Sequence, residues 1–298
     1  MNPRRLLNRS FWIILVLVVV GYAAILAWFS GHETELVYPL SKEMRQPGFG
    51  VTYTPLVILA KDGIRLSAWA LPDTVGSARK PWVLYLHGNG GNISYRDQFY
   101  ALLMELGVNI FAVDYRGYGQ SDGEPSEAGL YLDADAAYDF LRQRLQVPGN
   151  KIVIFGSSLG SCVAAQLATT ADAAGVILEG APTSIADRGQ ELYPFLPVKL
   201  LMRDRYDAMS RIDRVRMPKL FIHATDDIIV PIGHGRSLYE KAVEPKRFVE
   251  VNGGHDGAFA SDEVRYFTAV SRFVNEVTGA TVGLPHPGIT QSGADAPR

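Results

Sequence analysis

Ser158 stands at the centre of Gly156-Ser157-Ser158-Leu159-Gly160, directly after the apolar run Lys151 to Phe155 and before the small-residue stretch Cys162-Val163-Ala164-Ala165. A β-branched run feeding G-x-S-x-G and then a helix is the setting in which a serine sits on a sharp strand-to-helix turn, its hydroxyl exposed as a nucleophile. Both glycines have a physical task. Strand and helix come so close at such a turn that a Cβ would clash, and the backbone there is strained. The spacing selects Ser158, because Ser157 is one place early and should point elsewhere.

A serine nucleophile needs a base and an acid, in the chain order Ser, Asp, His, each at the end of a later strand. The run Lys219 to His223 reads as a buried strand and leads into Ala224-Thr225-Asp226-Asp227-Ile228-Ile229-Val230-Pro231. One of the two aspartates is the expected acid. Arg247 to Val251 reads as the next strand and leads into Asn252-Gly253-Gly254-His255-Asp256, which makes His255 the expected base. Singly, an aspartate after a strand is a common turn or cap residue. Three such signals in the required order carry much more weight.

His87 is the rival histidine, in His87-Gly88-Asn89-Gly90-Gly91-Asn92 after the strand-like Trp82 to Leu86. A glycine-rich loop there suits an oxyanion hole, with one backbone N–H from the loop and one from the residue after the nucleophile. Asn89 and Leu159 are the expected donors, and His87 the residue that fixes the loop. Neither G-K-[ST] nor G-x-G-x-x-G accompanies these glycines, so a phosphate or dinucleotide loop does not fit.

Taken together, HGNGGN, DYRGYGQSDG (Asp114 to Gly123), GSSLG, HATDDIIVP and GGHD resemble the α/β-hydrolase superfamily, in particular its serine-aminopeptidase-like, abhydrolase-domain branch. That branch includes membrane-associated lipid and protein-acyl thioester hydrolases. The resemblance covers roughly residues 50 to 276. The branch pattern D-x-x-V-P implies Asp227 rather than Asp226 as the acid, since Val230-Pro231 set the register. One departure is His223-Ala224, where relatives often carry H-G before the acid loop.

The elements that must position these residues alternate along the chain. Pro55 to Ala60 and Ile64 to Leu71 flank Lys61-Asp62-Gly63, a hairpin signal. Strand-like runs follow at Trp82 to Leu86, Val108 to Val113, Lys151 to Phe155, Gly175 to Glu179, Lys219 to His223 and Arg247 to Val251, separated by helical patterns. This predicts an α/β fold: a mostly parallel eight-stranded sheet, helices on both faces and an antiparallel edge. Asn92 is placed to cap a helix running to Leu106, and Ser126 one running to about Leu145. Further helices are expected after Ser158, over Gly233 to Val243 and over Ser261 to Val277. The hydrolase domain should cover 51–278, and the Gly/Pro-rich residues 279–298 should be disordered.

Between Glu179 and Lys219 the connection is longer than a tight crossover needs, and it carries Tyr193-Pro194-Phe195-Leu196-Pro197 and Leu200-Leu201-Met202. A short lid over about 185–215 is expected, and its apolar residues favour acyl groups over sugars or highly charged substrates. The plainer alternative is a helix packed on the sheet.

Phe11 to Phe29 carries no charge and is long enough, at about 1.5 Å per residue, to cross a hydrocarbon core roughly 30 Å thick. Arg4, Arg5 and Arg9 precede it, and Glu33 and Glu35 follow. Residues 1–30 should therefore be a cytoplasmic N-terminus and single-pass anchor, 31–50 a linker, with the hydrolase domain on the non-cytoplasmic side, periplasmic in a bacterium. A cleaved signal peptide is the competing reading, disfavoured by the length of the stretch and the lack of an A-x-A site near Trp28-Phe29-Ser30.

The 298 residues are 47% hydrophobic and carry a net charge of −2 without blocks of like charge, so no electrostatic footprint for nucleic acid is present. The single cysteine, Cys162, suits packing in the helix after the nucleophile. No cofactor fingerprint or zinc-ligand spacing is seen, and none is needed for the expected chemistry. The sequence thus predicts a serine hydrolase acting on an ester or thioester of an apolar, lipid-like acyl group. A small-ester hydrolase or aminopeptidase of the same fold is one alternative, the latter needing an acidic pocket for the substrate amine. Another is a noncatalytic binding module, although nothing structural requires the serine, acid, base and glycine loop together. Dehalogenases and epoxide hydrolases need a carboxylate where Ser158 stands.

Overall fold

The computed structural model describes residues 3–72 and 80–284, with side chains described from residue 10 onward. Eight strands form one sheet: β1 Thr54–Leu59, β2 Arg65–Leu71, β3 Trp82–Leu86, β4 Asn109–Val113, β5 Ile152–Ser157, β6 Gly175–Glu179, β7 Lys219–Ala224 and β8 Lys246–Val251. Their order is β1-β2-β4-β3-β5-β6-β7-β8. β1 runs antiparallel to β2 and β2 to β4, whereas the other pairings are parallel. The predicted Asp62-Gly63 hairpin closes through Gly63 at φ 87°, where the Ala60 N–H donates to the Ile64 carbonyl.

Central strands buried on both faces explain the nearly continuous apolar runs. Leu84, Ile154 and Leu178 point to one face, where Leu130 and Ala134 of α4 (Glu127–Asp139), Cys162 of α5 (Leu159–Leu167) and Leu238 of α8 (Ile232–Lys241) cover them. Val83, Phe155 and Ile177 point to the other, against Phe99 and Leu103 of α3 (Asp97–Glu105) and Phe267 and Val270 of α10 (Glu263–Thr278). A short helix, α9 (Ala258–Ser261), precedes α10.

Asn92 does not open one long helix. Its Oδ1 accepts from the Ser94 N–H to cap a 3₁₀ turn over Ile93–Tyr95, and α3 begins only at Asp97. The Asn92 amide is also committed outward, donating to the Ser41 and Glu43 carbonyls at 3.2 and 2.7 Å. Ser126 caps α4 as its position predicts, accepting from the Gly129 N–H.

At the N-terminus, α1 (Pro3–Gly31) contains a stretch, Ser10–Gly31, of mean hydropathy 2.6 whose most apolar part is unburied by the rest of the protein. The residues after it do not form a free linker. Within α2 (Glu33–Val37), the Glu33 carboxylate accepts from the Arg203 and Asp204 N–H groups at 2.7 and 2.9 Å. Tyr38 is buried, its hydroxyl 2.7 Å from both Asp204 Oδ2 and Tyr206 Oη. Leu40 bridges to Gly91. Phe29, Val37 and Tyr38 each cover apolar surface of the domain, a tertiary gain that loop-like composition conceals.

The C-terminal expectation of disorder also changes over its first residues. Gly279 ends α10 at φ 62°, the Gly283 N–H donates to the Leu106 carbonyl at 2.8 Å, and Val282 is buried. Residues 285–298 lie outside the described residues.

Candidate active site

β5 ends at Ser157 and α5 begins at Leu159, so Ser158 makes the turn alone, at φ 53° and ψ −119°. A side-chain-bearing residue with positive φ is strained and persists only where its surroundings over-determine it. Here they do. A Cβ at Gly156 would run into the Gly160 carbonyl and one at Gly160 into the Leu86 carbonyl, which is why the strand, turn and helix can interlock only with glycine at both places. The Ser158 N–H donates to the Glu179 carbonyl at 2.9 Å, locking the turn to β6.

Three of the residues singled out from the sequence meet at this turn. His255 Nε2 lies 2.8 Å from Ser158 Oγ, and His255 Nδ1 lies 2.6 Å from Asp227 Oδ2. The other carboxylate oxygen, Oδ1, accepts from the Ile229 and Val230 N–H groups at 2.9 and 2.7 Å. Asp227 is buried, whereas Asp226 is exposed.

Burial pushes the Asp227 carboxyl up, but hydrogen bonds from His223 and His255 and from the Val230 N–H outweigh it and hold the group well below the usual carboxylate range. Burial pulls the His255 imidazole down, and the hydrogen bond and charge of Asp227 overcome this to leave it above its ordinary 6.5. The environment thus favours the anionic form of Asp227 and the protonated form of His255.

Asn89 and Leu159 both border a cavity at Ser158. The loop's approach is close, since a Cβ at Gly88 would stand 3.2 Å from Ser158 Cβ. Leu159 is the first residue of α5, where N–H groups lack helical acceptors and the dipole favours negative charge. His87 is fully buried 3.5 Å from Asp114 Oδ1, between the rings of Tyr115 and Tyr118, and burial pulls its pKa down to about 3. Its Nδ1 lies 2.6 Å from the Gly88 carbonyl of the same loop. Cys162 is buried too, its thiol pushed up to about 12 by burial.

Two cavities of about 190 Å³ flank Ser158. One is bounded by Phe29, Leu36, Ile185, Leu192, Tyr193 and Met202, joining the end of α1 and α2 to α6 (Ile185–Leu192) and the residues on either side of α7 (Val198–Leu201). The other holds Arg96, Glu179 and Asp256. Burial pushes the Glu179 carboxyl up, against hydrogen bonds from Tyr266, at 2.6 Å, and from Ser157. Sequence reading passed over this polar pair of acids and Arg96. The available signal was Glu179 itself, a carboxylate closing an apolar run at the carboxyl end of a strand, where ligands of open α/β sheets bind. It also missed His223, whose Nε2 lies 3.5 Å from Asp227 Oδ2. Among the described residues, no three His, Cys, Asp or Glu side chains converge as metal ligands would.

A doubly covered, mostly parallel sheet with a strained serine between β5 and α5 defines the α/β-hydrolase class. Residues 81–209 match the family model described as alpha/beta hydrolase fold. An uncharacterized protein of Mycobacterium tuberculosis is 39% identical over 222 residues, 74% of this chain and 79% of that protein. The alpha/beta hydrolase domain-containing protein WAV2 of Arabidopsis thaliana is 33% identical over 249 residues, 76% of this chain and 79% of that one. Among solved structures, an esterase of Pyrococcus furiosus superposes with TM-score 0.67 at 18% identity, over 80% of this chain and 100% of its own, which shows a shared fold. The chain belongs to the α/β-hydrolase family.

Proposed function

We propose that the protein is a membrane-anchored serine hydrolase that cleaves an ester or thioester of an apolar acyl group. The observation that carries this reading is the continuous hydrogen-bonded line from Ser158 Oγ through His255 to Asp227, at 2.8 and 2.6 Å. His255 Nε2 takes the Ser158 proton as Oγ attacks the carbonyl carbon, and Asp227 holds the imidazole in the required tautomer and stabilises its cation. The Asn89 and Leu159 N–H groups receive the oxyanion. Its collapse expels the alcohol or thiol, which leaves with the proton from His255. Water, deprotonated by His255, then attacks the acyl-serine, and the acid is released as the acyl–Oγ bond breaks and His255 returns the proton to Ser158 Oγ.

The cavity beside the lid suits the acyl chain because its wall is mostly aliphatic and aromatic. A lid over about 185–215 and the hydrolase domain over 51–278 are part of this proposal. Ser10–Gly31 serves as the anchor, with the N-terminus cytoplasmic and the active site on the far side. A second reading, an aminoacyl hydrolase, draws on Glu179 and Asp256, carboxyls placed beside Ser158 where a substrate amine would need them.

Labelling with a fluorophosphonate tests the core of the proposal. Ser158→Ala should lose both labelling and turnover while Ser157→Ala keeps them; the reverse outcome would remove Ser158 as nucleophile. A panel of acyl esters, thioesters and aminoacyl amides separates the two substrate readings. Retention in the membrane after a carbonate wash, with the domain open to protease outside spheroplasts, is the outcome expected for the anchor. A shortened soluble chain would establish a cleaved signal instead.

A further inference from the structure

We infer that the turn between α6 and α7 is sunk into the same membrane leaflet as the end of α1, so that the acyl chain reaches Ser158 sideways from the bilayer. The inference rests on the anchored acyl-hydrolase reading above and extends it to the route of the substrate.

The tie between the two elements sets the depth. Tyr22 Oη, within the uncharged stretch of α1, donates to the Phe195 carbonyl at 2.9 Å. Gly31, the end of α1, lies roughly 13 Å further along the helix axis. If α1 crosses the hydrocarbon, Tyr22 is below the membrane surface and carries Phe195 down with it. A second contact lies nearer the surface, where the rings of Phe29 and Tyr193 meet edge to face at 5.7 Å.

The side chains around that turn match such a place. Phe195 is 88% and Leu200 86% exposed, with Leu192 also exposed beside them. In water these groups would form an apolar patch with nothing to cover it, whereas lipid tails alongside α1 would bury them. Lipid covers this patch because it is continuous, through Tyr22 and Phe29, with the helix that the bilayer surrounds. Behind the patch lies the apolar cavity, walled by Phe29 and Leu36 on the anchor side and by Leu192, Tyr193 and Met202 on the lid side, and reaching Ser158. An acyl chain passing between these two walls meets mostly apolar side chains, with Glu33, Asn89 and Arg188 the polar members of the lining. Its polar leaving group would be received on the opposite side of Ser158, at Arg96, Glu179 and Asp256.

The test uses the full chain in vesicles of phosphatidylethanolamine and phosphatidylglycerol. Cys162 is the single cysteine and is buried, so a nitroxide attached through Leu200→Cys reports from that position alone. It should collide more with oxygen than with an aqueous nickel chelate, while a label at Arg272→Cys, on the exposed side of α10, should do the opposite. A water-like response at position 200 would overturn the inference whatever the protein hydrolyses. In a second arm, Phe195→Asp combined with Leu200→Asp should lower turnover of a long-chain ester dissolved in the vesicles by roughly tenfold or more, because carboxylates are costly at bilayer depth. Turnover of a water-soluble short-chain ester should be unchanged, since neither side chain borders the cavity. Equal loss on both esters, or on neither, would also overturn it. Absence of fluorophosphonate labelling in the unaltered protein would instead sink the hydrolase reading, with the nitroxide response still deciding the membrane contact.

Discussion

Oδ2 of Asp227 faces two imidazoles, His255 Nδ1 at 2.6 Å and His223 Nε2 at 3.5 Å. His223 Nε2 also lies 2.7 Å from the Val230 carbonyl, so the Nε2–H tautomer donates there and closes the acid loop on itself. With Oδ1 occupied by two backbone N–H groups, the carboxylate has donors on both oxygens and little freedom to rotate.

His223→Ala should therefore act through Asp227. The hydrogen bond to the Val230 carbonyl that it removes contributes about 0.5–1.5 kcal/mol, which corresponds to roughly a twofold to tenfold loss of kcat if it is spent on holding the loop that carries the acid. KM should change little, because His223 borders neither cavity at Ser158. Steady-state kinetics on a soluble ester would show this, and an unchanged kcat would reduce His223 to a packing residue.

The two aspartates should separate by orders of magnitude. Asp227→Asn keeps the shape but forces the wrong imidazole tautomer, a change that lowers kcat by on the order of 10⁴ in comparable triads. Asp226→Asn, at an exposed position, should stay within a few-fold of the parent. Comparable small effects at both sites would remove Asp227 from the mechanism.

The rate should fall on the acid side at a pH above the ordinary histidine value. His255 must be neutral to accept the serine proton, and Asp227 raises its pKa above 6.5 against the pull of burial. Below that raised pKa the neutral fraction, and with it kcat/KM for an uncharged ester, drops tenfold per pH unit. Asp227→Asn should move the midpoint down, since the raising charge is gone. A pH–rate profile flat from pH 5 to 8 would exclude a histidine base.

Glu33, which also borders the apolar cavity at Ser158, offers a stability test. Its side chain is 4% exposed and accepts from the Arg203 and Asp204 N–H groups, so Glu33→Ala leaves two donors without their acceptor. A loss of about 1–3 kcal/mol per unsatisfied buried group is expected, read as a lower Tm and faster proteolysis between residues 193 and 206. An unchanged Tm would mean that water replaces the carboxylate there.

Acyl preference should follow the apolar cavity. Lengthening the acyl chain by a few methylenes should raise kcat/KM by up to about 0.8 kcal/mol per buried CH₂ until the space is filled. Met202→Trp should shorten the optimum, because Met202 borders that cavity. Best turnover of acetyl or aminoacyl substrates would favour the second reading and the Glu179 side.

The strand pattern was legible in the sequence because each strand is short, apolar and bounded by turn residues, and Trp82–Leu86 and Gly175–Glu179 carry their boundaries in the residues themselves. Gly156 and Gly160 announced the turn at Ser158 for a local reason: interlocked strand and helix leave no room for a Cβ. The order of Ser158, Asp227 and His255 was equally readable. What joins them is not local, since the pairs are 97 and 28 residues apart and meet only because parallel crossovers bring the carboxyl ends of β5, β7 and β8 to the same end of the sheet. The same holds for the contacts that sequence reading missed. Glu33 and Tyr38 find partners 166 to 171 residues away, and Tyr22 finds Phe195 173 residues away. Residues 31–50 look like a linker because loop composition reports local preference, whereas docking is decided by apolar area and donors supplied from across the fold.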